Sequence, residues 1–164
     1  MKAVFFDRDG VINDNSKHYY VYRLDQWQFN HGIIEVMQKC VQAGYALFIV
    51  TNQGGISRGL YTKDEVADLH HAVFDPLKDK GVDFKEIAIC PHHPLLENCL
   101  CRKPQSLMLE KLIARFNIDC AKSWFVGDSD KDCQAATSIG IRCLKVPSNS
   151  DIRTNVSIIW DTTD

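Results

Sequence analysis

Met1-Lys-Ala-Val-Phe-Phe-Asp7-Arg8-Asp9-Gly10-Val11-Ile12 is the stretch from which the rest of the chain is read. Ala3 to Phe6 is a short apolar run of β-forming residues closed by a turn signal, which predicts a buried strand. Two carboxylates follow, alternating with Arg8, and Gly10 allows the backbone a sharp turn. In open α/β sheets, ligands bind beyond the carboxyl ends of the strands, so Asp7 and Asp9 stand where chemistry is expected. Carboxylates two apart at such a tip can hold a hard cation. One can also attack an electrophile covalently while the other moves protons. Taken alone, the same four residues would serve equally well as a charged turn.

The pattern repeats outward from this strand. Residues 13–28 are polar and aromatic without a helical or strand period, a long connection of the kind that lines sites. Ile33, Ile34, Met37 and Val41 recur at helical spacing over about 31–43, and Gly44 is a stop. Residues 45–50 read as a second buried strand ending on Thr51-Asn52-Gln53-Gly54-Gly55, a tip able to donate hydrogen bonds to phosphate oxygens or to act as a plain turn. Thr62 and Glu65 form a capping box, and Val66, Leu69, Val73 and Leu77 continue a helix to about Lys80. His70 and His71 within it are read as structural. A third strand runs over 86–90. A helix carrying Leu107, Leu109, Leu112, Ile113 and Phe116 is expected to begin near Pro104. A fourth strand spans 123–126 and ends on Gly127-Asp128-Ser129-Asp130-Lys131-Asp132. A helix is expected over 131–138, a fifth strand over 141–146, and a last strand over 156–160.

Between the third strand and its helix lies Cys90-Pro91-His92-His93-Pro94-Leu95-Leu96-Glu97-Asn98-Cys99-Leu100-Cys101, with three cysteines and two histidines in twelve residues. Cys90 with His92, and Cys99 with Cys101, make two short chelating pairs. Together they supply a closed Cys3His tetrahedron for zinc, with no position left for a water, so the site is expected to be structural. His93 is the alternative fourth ligand on spacing. Cys40, Cys120, Cys133 and Cys143 are dispersed among apolar neighbours and read as small core residues.

The chain has 164 residues, seven cysteines and a formal net charge of −2. One domain spanning 1–164 is expected, with the zinc loop at about 90–103. The charge gives no reason to expect nucleic-acid or anionic-membrane binding. No apolar run reaches the length of a membrane span, and the N-terminus carries no cleavable signal pattern. A cytoplasmic monomer is the expectation, and in that compartment clustered cysteines bind metal rather than form disulfides.

Strands alternating with helices predict an α/β fold around a central parallel sheet, with right-handed crossovers gathering the tips on one edge. Asp-x-Asp-Gly, Thr-Asn, Arg102-Lys103 and Gly-Asp-x3-Asp then meet. Mg2+ demands octahedral oxygen ligation, which Asp7, Asp9 and Asp128 can contribute to. The Thr51 hydroxyl and Lys103 ammonium can offset charge on a transferring phosphoryl group. The set suits phosphoryl transfer.

In these motifs the chain resembles the haloacid dehalogenase superfamily of Mg2+-dependent phosphatases, over nearly its whole length. The resemblance implies a three-layer Rossmann-like fold and a phosphoric monoester hydrolase acting through an aspartyl phosphate. It makes Asp7 the nucleophile and Asp9 the general acid/base, which also lends its backbone carbonyl to Mg2+. Asp128 completes the metal site, Thr51 and Lys103 bind the phosphoryl group, Asn52 contacts substrate, and Asp132 is a supporting acid. Cys-Pro-His-His-Pro followed by Cys-x-Cys-Arg-Lys-Pro resembles the zinc-containing branch of heptose bisphosphate phosphatases and histidinol phosphatases, which lack a large cap domain. The resemblance carries the zinc ligands over as Cys90, His92, Cys99 and Cys101, and a substrate-contacting arginine as Arg102. Gln53-Gly-Gly-Ile-Ser-Arg-Gly59 points to the heptose enzymes. The short spacing from His92 to Cys99 points to the histidinol ones.

A sugar bisphosphate of the heptose type is the expected substrate. The catalytic phosphate already engages Mg2+, Thr51 and Lys103, so Arg58 and Arg102, with help from Lys17 or His18, are free to read a second anionic group. Histidinol phosphate, the alternative, would present cations better matched by Asp14, Asp25, Glu97 or the rings of Tyr19, Tyr20 and Tyr22. A zinc-stabilised binding module without catalysis is a further alternative, disfavoured because Asp7, Asp9, Lys103 and Asp128 are all present, and a phosphotransferase or protein-directed phosphatase, for which a cap-free site is open enough, is another.

Overall fold

A computed structural model describes residues 1–154 and 156–161. Five strands form one fully parallel sheet: β1 (Ala3–Phe6), β2 (Ala46–Asn52), β3 (Phe84–Cys90), β4 (Trp124–Gly127) and β5 (Arg142–Lys145), in the order β3-β2-β1-β4-β5. The helices are α1 (Ile33–Gln42), α2 (Lys63–Phe74), α3 (Leu107–Phe116), α4 (Asp130–Thr137) and a single turn, α5 (Ile158–Asp161).

β1 is central, and its alternation assigns its side chains to two cores. Val4 and Phe6 face a cluster with Met37 of α1, Leu69 and Phe74 of α2, and Ile159 of α5. Ala3 and Phe5 face the opposite cluster, with Leu109 and Leu112 of α3 and Ala135 and Ala136 of α4. Three layers result, as period-two strands between period-3.6 helices require. β2 and β3 lie to one side of β1, β4 and β5 to the other. The strand order therefore reverses at β1 and β4, and the crevice expected at such a switch opens where Asp7 and Asp128 lie.

Strand and helix positions follow the sequence periodicity, with four differences. Residues 156–160 do not form a strand: Val156 and Ile159, three apart, are both buried against the first cluster, and the chain closes a helical turn there. A short apolar run fits either element until a neighbour selects one. α2 stops at Phe74 and the chain continues as a 3-10 helix over Asp75–Lys80, because Pro76 has no N–H to extend the α ladder. α3 begins after Ser106, leaving Pro104 in the preceding loop. Cys133 and Cys143 are not separate core residues: α4 lies against β5 with their Cα atoms 5.2 Å apart, and they are bridged. Cys40 is buried among apolar side chains as expected.

Candidate active site

Asp7 leaves the end of β1 with its N–H donating to the Val126 carbonyl of β4, 2.9 Å away, so the main chain fixes it at the switch point. Its Oδ1 accepts from the Arg8 N–H at 2.8 Å and from Lys103 Nζ at 2.8 Å. Burial pushes the Asp7 carboxyl up to about 7, against the lowering pull of Lys103 and with the Asp132 charge adding to the rise. Lys103 is itself buried, and Nζ has three acceptors: Asp7, Asp132 Oδ1 at 2.7 Å and the Val50 carbonyl at 2.7 Å. Burial works to lower the Lys103 pKa, and the two carboxylates more than offset it, so the ammonium is kept charged.

Asp132 is buried and caps its own helix, accepting from Ser129 N and Oγ on Oδ2 while Oδ1 holds Lys103. Gly127 makes room for it, since a Cβ there would stand 2.4 Å from Asp132 Cβ. Asp128 precedes α4, half-buried, with its carboxyl raised by burial and hydrogen-bonded by Ser148. Gly10, at φ +87°, passes so close to Asp128 Oδ2 that a side chain is excluded.

Asp7, Asp128 and Asp132 can each bring one oxygen within 4.8 Å of the others. Asp132 is already committed to Lys103 and Ser129, which leaves the Asp7 and Asp128 carboxylates of this group as the donors suited to Mg2+. They are hard oxygens of the right number for an ion that keeps several waters.

Asp9 is gripped on both oxygens. Oδ1 accepts from Arg8 Nη2 at 2.8 Å and Asn13 Nδ2 at 3.1 Å, and Oδ2 from Arg8 Nε at 3.2 Å and Gln53 Nε2 at 2.9 Å. Gln53 also donates to Thr51 Oγ1 at 2.9 Å and accepts from Tyr61 at 2.6 Å, tying the β2 tip to the β1 tip. The Asn52 amide spans the Lys103 backbone, accepting from the N–H at 3.1 Å and donating to the C=O at 3.2 Å. Its side chain positions Lys103, and the amide keeps a second N–H for the substrate contact expected of it.

The Cys90, His92, Cys99 and Cys101 ligand atoms converge within 4.8 Å of one another. Cys90 Sγ stands 3.6 Å from His92 Nδ1, 3.8 Å from Cys99 Sγ and 3.2 Å from Cys101 Sγ. A Zn–S bond of about 2.3 Å in a tetrahedron implies sulfur–sulfur edges of roughly 3.8 Å, so the thiolate and imidazole set fits zinc. His93 is not part of it: its Nδ1 instead accepts from Leu95 N, and its ring lies beside Gly54. The loop so closed carries Arg102, whose Nη1 donates to the His92 carbonyl at 2.9 Å.

Arg58 is exposed and reaches Tyr20 OH at 3.5 Å. Arg58 and Arg102 both lie close enough to His93 to lower its pKa, after the larger effect of burial, so two arginine cations gather beside a histidine kept toward its neutral form on one rim. Lys17 and His18 line a separate recess of about 110 Å3 with Asp14, Asp25 and Trp27. Tyr20 and Tyr22 pack on Tyr61, so the 13–28 loop does wall the β2 tip.

The sequence does not mark Arg8, Asn13 and Tyr61 as site residues, and marks Gln53 only as part of the phosphate-facing β2 tip. The one available signal was Arg8 itself, a charge between two acids at the end of a strand with no room for water.

The profile of the family described as polynucleotide kinase 3 phosphatase matches residues 2–151. The chain is 41% identical over 145 residues to the D-glycero-beta-D-manno-heptose-1,7-bisphosphate 7-phosphatase of Yersinia pestis, covering 85% of this chain and 76% of that one. It is 43% identical over 150 residues to the protein of the same name from Photorhabdus laumondii, covering 87% and 79%. Among solved structures, the D,D-heptose 1,7-bisphosphate phosphatase of B. bronchiseptica, complexed with magnesium and phosphate, superposes with a TM-score of 0.83 at 32% identity over 96% of this chain and 87% of that one.

Proposed function

This chain belongs to the polynucleotide kinase 3 phosphatase family within the haloacid dehalogenase superfamily, and on that premise we propose that it removes the 7-phosphate of a D-glycero-D-manno-heptose 1,7-bisphosphate. The observation that carries the substrate is the identity of about 40% over most of the chain to proteins named for that reaction. We read it as a cytoplasmic, single-domain monomer; no helix is long and apolar enough to cross a membrane among the described residues.

Asp7 attacks phosphorus in this reading. Both protein donors fall on Oδ1, so Oδ2 is assigned as the nucleophile. The O–P bond forms as the ester bond breaks, and the departing sugar oxygen takes a proton from Asp9. A water then gives its proton to Asp9 and attacks the aspartyl phosphate, releasing phosphate and restoring Asp7. Lys103 and Thr51 offset charge on the phosphoryl oxygens. Mg2+, when bound by Asp7, Asp128 and the Asp9 carbonyl, supplies Lewis-acid neutralisation of the same oxygens. Zinc on Cys90, His92, Cys99 and Cys101 would shape the loop that presents Arg102 and Lys103. The rim of Arg58 and Arg102 supports a second, anionic group on the substrate.

The test is kcat/KM with Mg2+ for the heptose bisphosphate and for histidinol phosphate. The bisphosphate is expected to be favoured strongly, with Arg102→Ala eroding that preference. A tenfold or greater preference for histidinol phosphate would transfer the chain to the other branch. Absence of turnover on any phosphomonoester would leave a binding module.

A further inference from the structure

We propose that Arg8 is a positioning residue for Asp9, and that His70 on α2 holds Arg8 in place. Among the described residues Arg8 is a large side chain with no exposed surface, an unusual place for a guanidinium. Its fork meets the Asp9 carboxylate with two N–H groups on two oxygens, at 2.8 and 3.2 Å. That geometry fixes the plane and the rotation of the carboxylate, which a point charge such as an ammonium cannot do.

The rest of the guanidinium is used to hold the fork still. Nη2 also donates to the Val21 carbonyl in the aromatic loop at 2.5 Å. Nη1 meets His70 Nε2 at 3.2 Å, and the cation faces the Trp27 ring at 5.8 Å. Arginine has donors only, so His70 accepts on Nε2 and carries its proton on Nδ1. Burial and the Arg8 charge hold the His70 pKa down to about 3, in keeping with that neutral acceptor. A chain of contacts thus runs from α2 through Arg8 to the carboxylate that moves the proton. His70, otherwise a buried polar residue without a task, acquires one.

The inference rests on Asp9 being the proton carrier, as read above, and the experiment is built to separate the two. Proton donation matters when the leaving group is a poor one, such as a sugar or glycerol alkoxide, and little when it is nitrophenolate. Its kcat/KM reports the steps through departure of the leaving group. Arg8→Lys keeps the charge and loses the fork. Its kcat/KM with Mg2+ is expected to fall ~10²-fold on an alkyl phosphate and by about threefold or less on p-nitrophenyl phosphate, since proton transfer contributes typically ~10²–10⁴-fold. A residue needed only for folding would lower both alike, and equal losses, or none, overturn the inference.

Arg8→Lys can fail to fold, because the site is fully buried. His70→Gln and His70→Leu then decide. Glutamine offers Arg8 an acceptor oxygen and should behave as the native chain on both substrates. Leucine should show the selective loss on the alkyl phosphate. Identical behaviour of the two variants overturns the inference. Asp9→Asn is measured beside them. If it loses both substrates equally, the proton-transfer reading of Asp9 fails; if it discriminates and the Arg8 and His70 variants do not, only the role of Arg8 fails.

Discussion

Asp132→Asn probes how Lys103 is held, and its magnitude can be worked from the site. The carboxylate lies 2.7 Å from Lys103 Nζ, with both side chains buried. At an effective dielectric of about 20, that contact is a gross attraction of ~6 kcal/mol. Part of it offsets the several kcal/mol it costs to take each ion out of water, and asparagine does not incur that cost for itself. Lys103 keeps Asp7 and the Val50 carbonyl as partners, so the loss stays below the 3–5 kcal/mol expected for a fully orphaned buried charge. A net loss of about 2–3 kcal/mol is expected, which lowers Tm by roughly 5–10 °C in a domain of this size. Activity should fall as well. Without Asp132 to balance it, the ammonium settles onto Asp7, the group that must attack. Thermal unfolding followed by circular dichroism, together with kcat/KM on a phosphomonoester with Mg2+, checks both effects. A Tm unchanged to within about a degree, with full activity, would refute the view that Asp132 anchors Lys103.

Asp7→Asn should fold and lose nearly all turnover; substantial Mg2+-dependent activity in the variant would remove Asp7 as nucleophile. Elemental analysis of the native protein is expected to find about one zinc per chain, and Cys99→Ser should reduce it and lower both Tm and rate; a native protein free of zinc and fully active would refute the structural site. His70 gives a pH signature. Its folded pKa, about 3, lies below that of a free histidine, so the unfolded chain takes up the extra proton as pH falls, and stability present above pH ~6.5 is lost below it. Asp7, raised to about 7, acts in the opposite sense in the metal-free protein, because the folded chain then takes up the proton first. The difference between native and His70→Gln denaturation curves isolates the histidine: native stability relative to the variant should fall by up to ~1.4 kcal/mol per pH unit between about pH 6 and 4.5. Parallel curves would show that His70 is not held neutral.

What the sequence determined by itself was everything that depends on short range. Alternation in Ala3–Phe6 set which side chains face which layer, and apolar spacing set the buried faces of α1 and α3 in part: Ile33, Met37, Leu109 and Leu112 are buried, whereas Val41 is exposed. The motifs at the strand tips announced Asp7, Asp9, Thr51, Lys103 and Asp128, and the Cys-x-His and Cys-x-Cys pairs announced the metal loop. These are properties of residues within a turn or two of each other, and periodicity carries them. The choice of His92 over His93 needed three dimensions, because either neighbour satisfies the spacing and only the direction of the loop decides between them. The same holds for Asn52, which lies at a catalytic tip and uses its amide on the Lys103 backbone fifty-one residues away. Asp132 and Arg8 were legible as charges and illegible as anchors, since Lys103, which Asp132 holds, and His70, which meets Arg8, come from elsewhere in the fold. The bridge between Cys133 and Cys143, and the turn rather than strand near Val156, were likewise decided by which element packs alongside. A buried charge takes its meaning from the partners that compensate it, and for Lys103 those are Asp7 and Asp132, brought in by the fold rather than by the neighbouring residues in the chain.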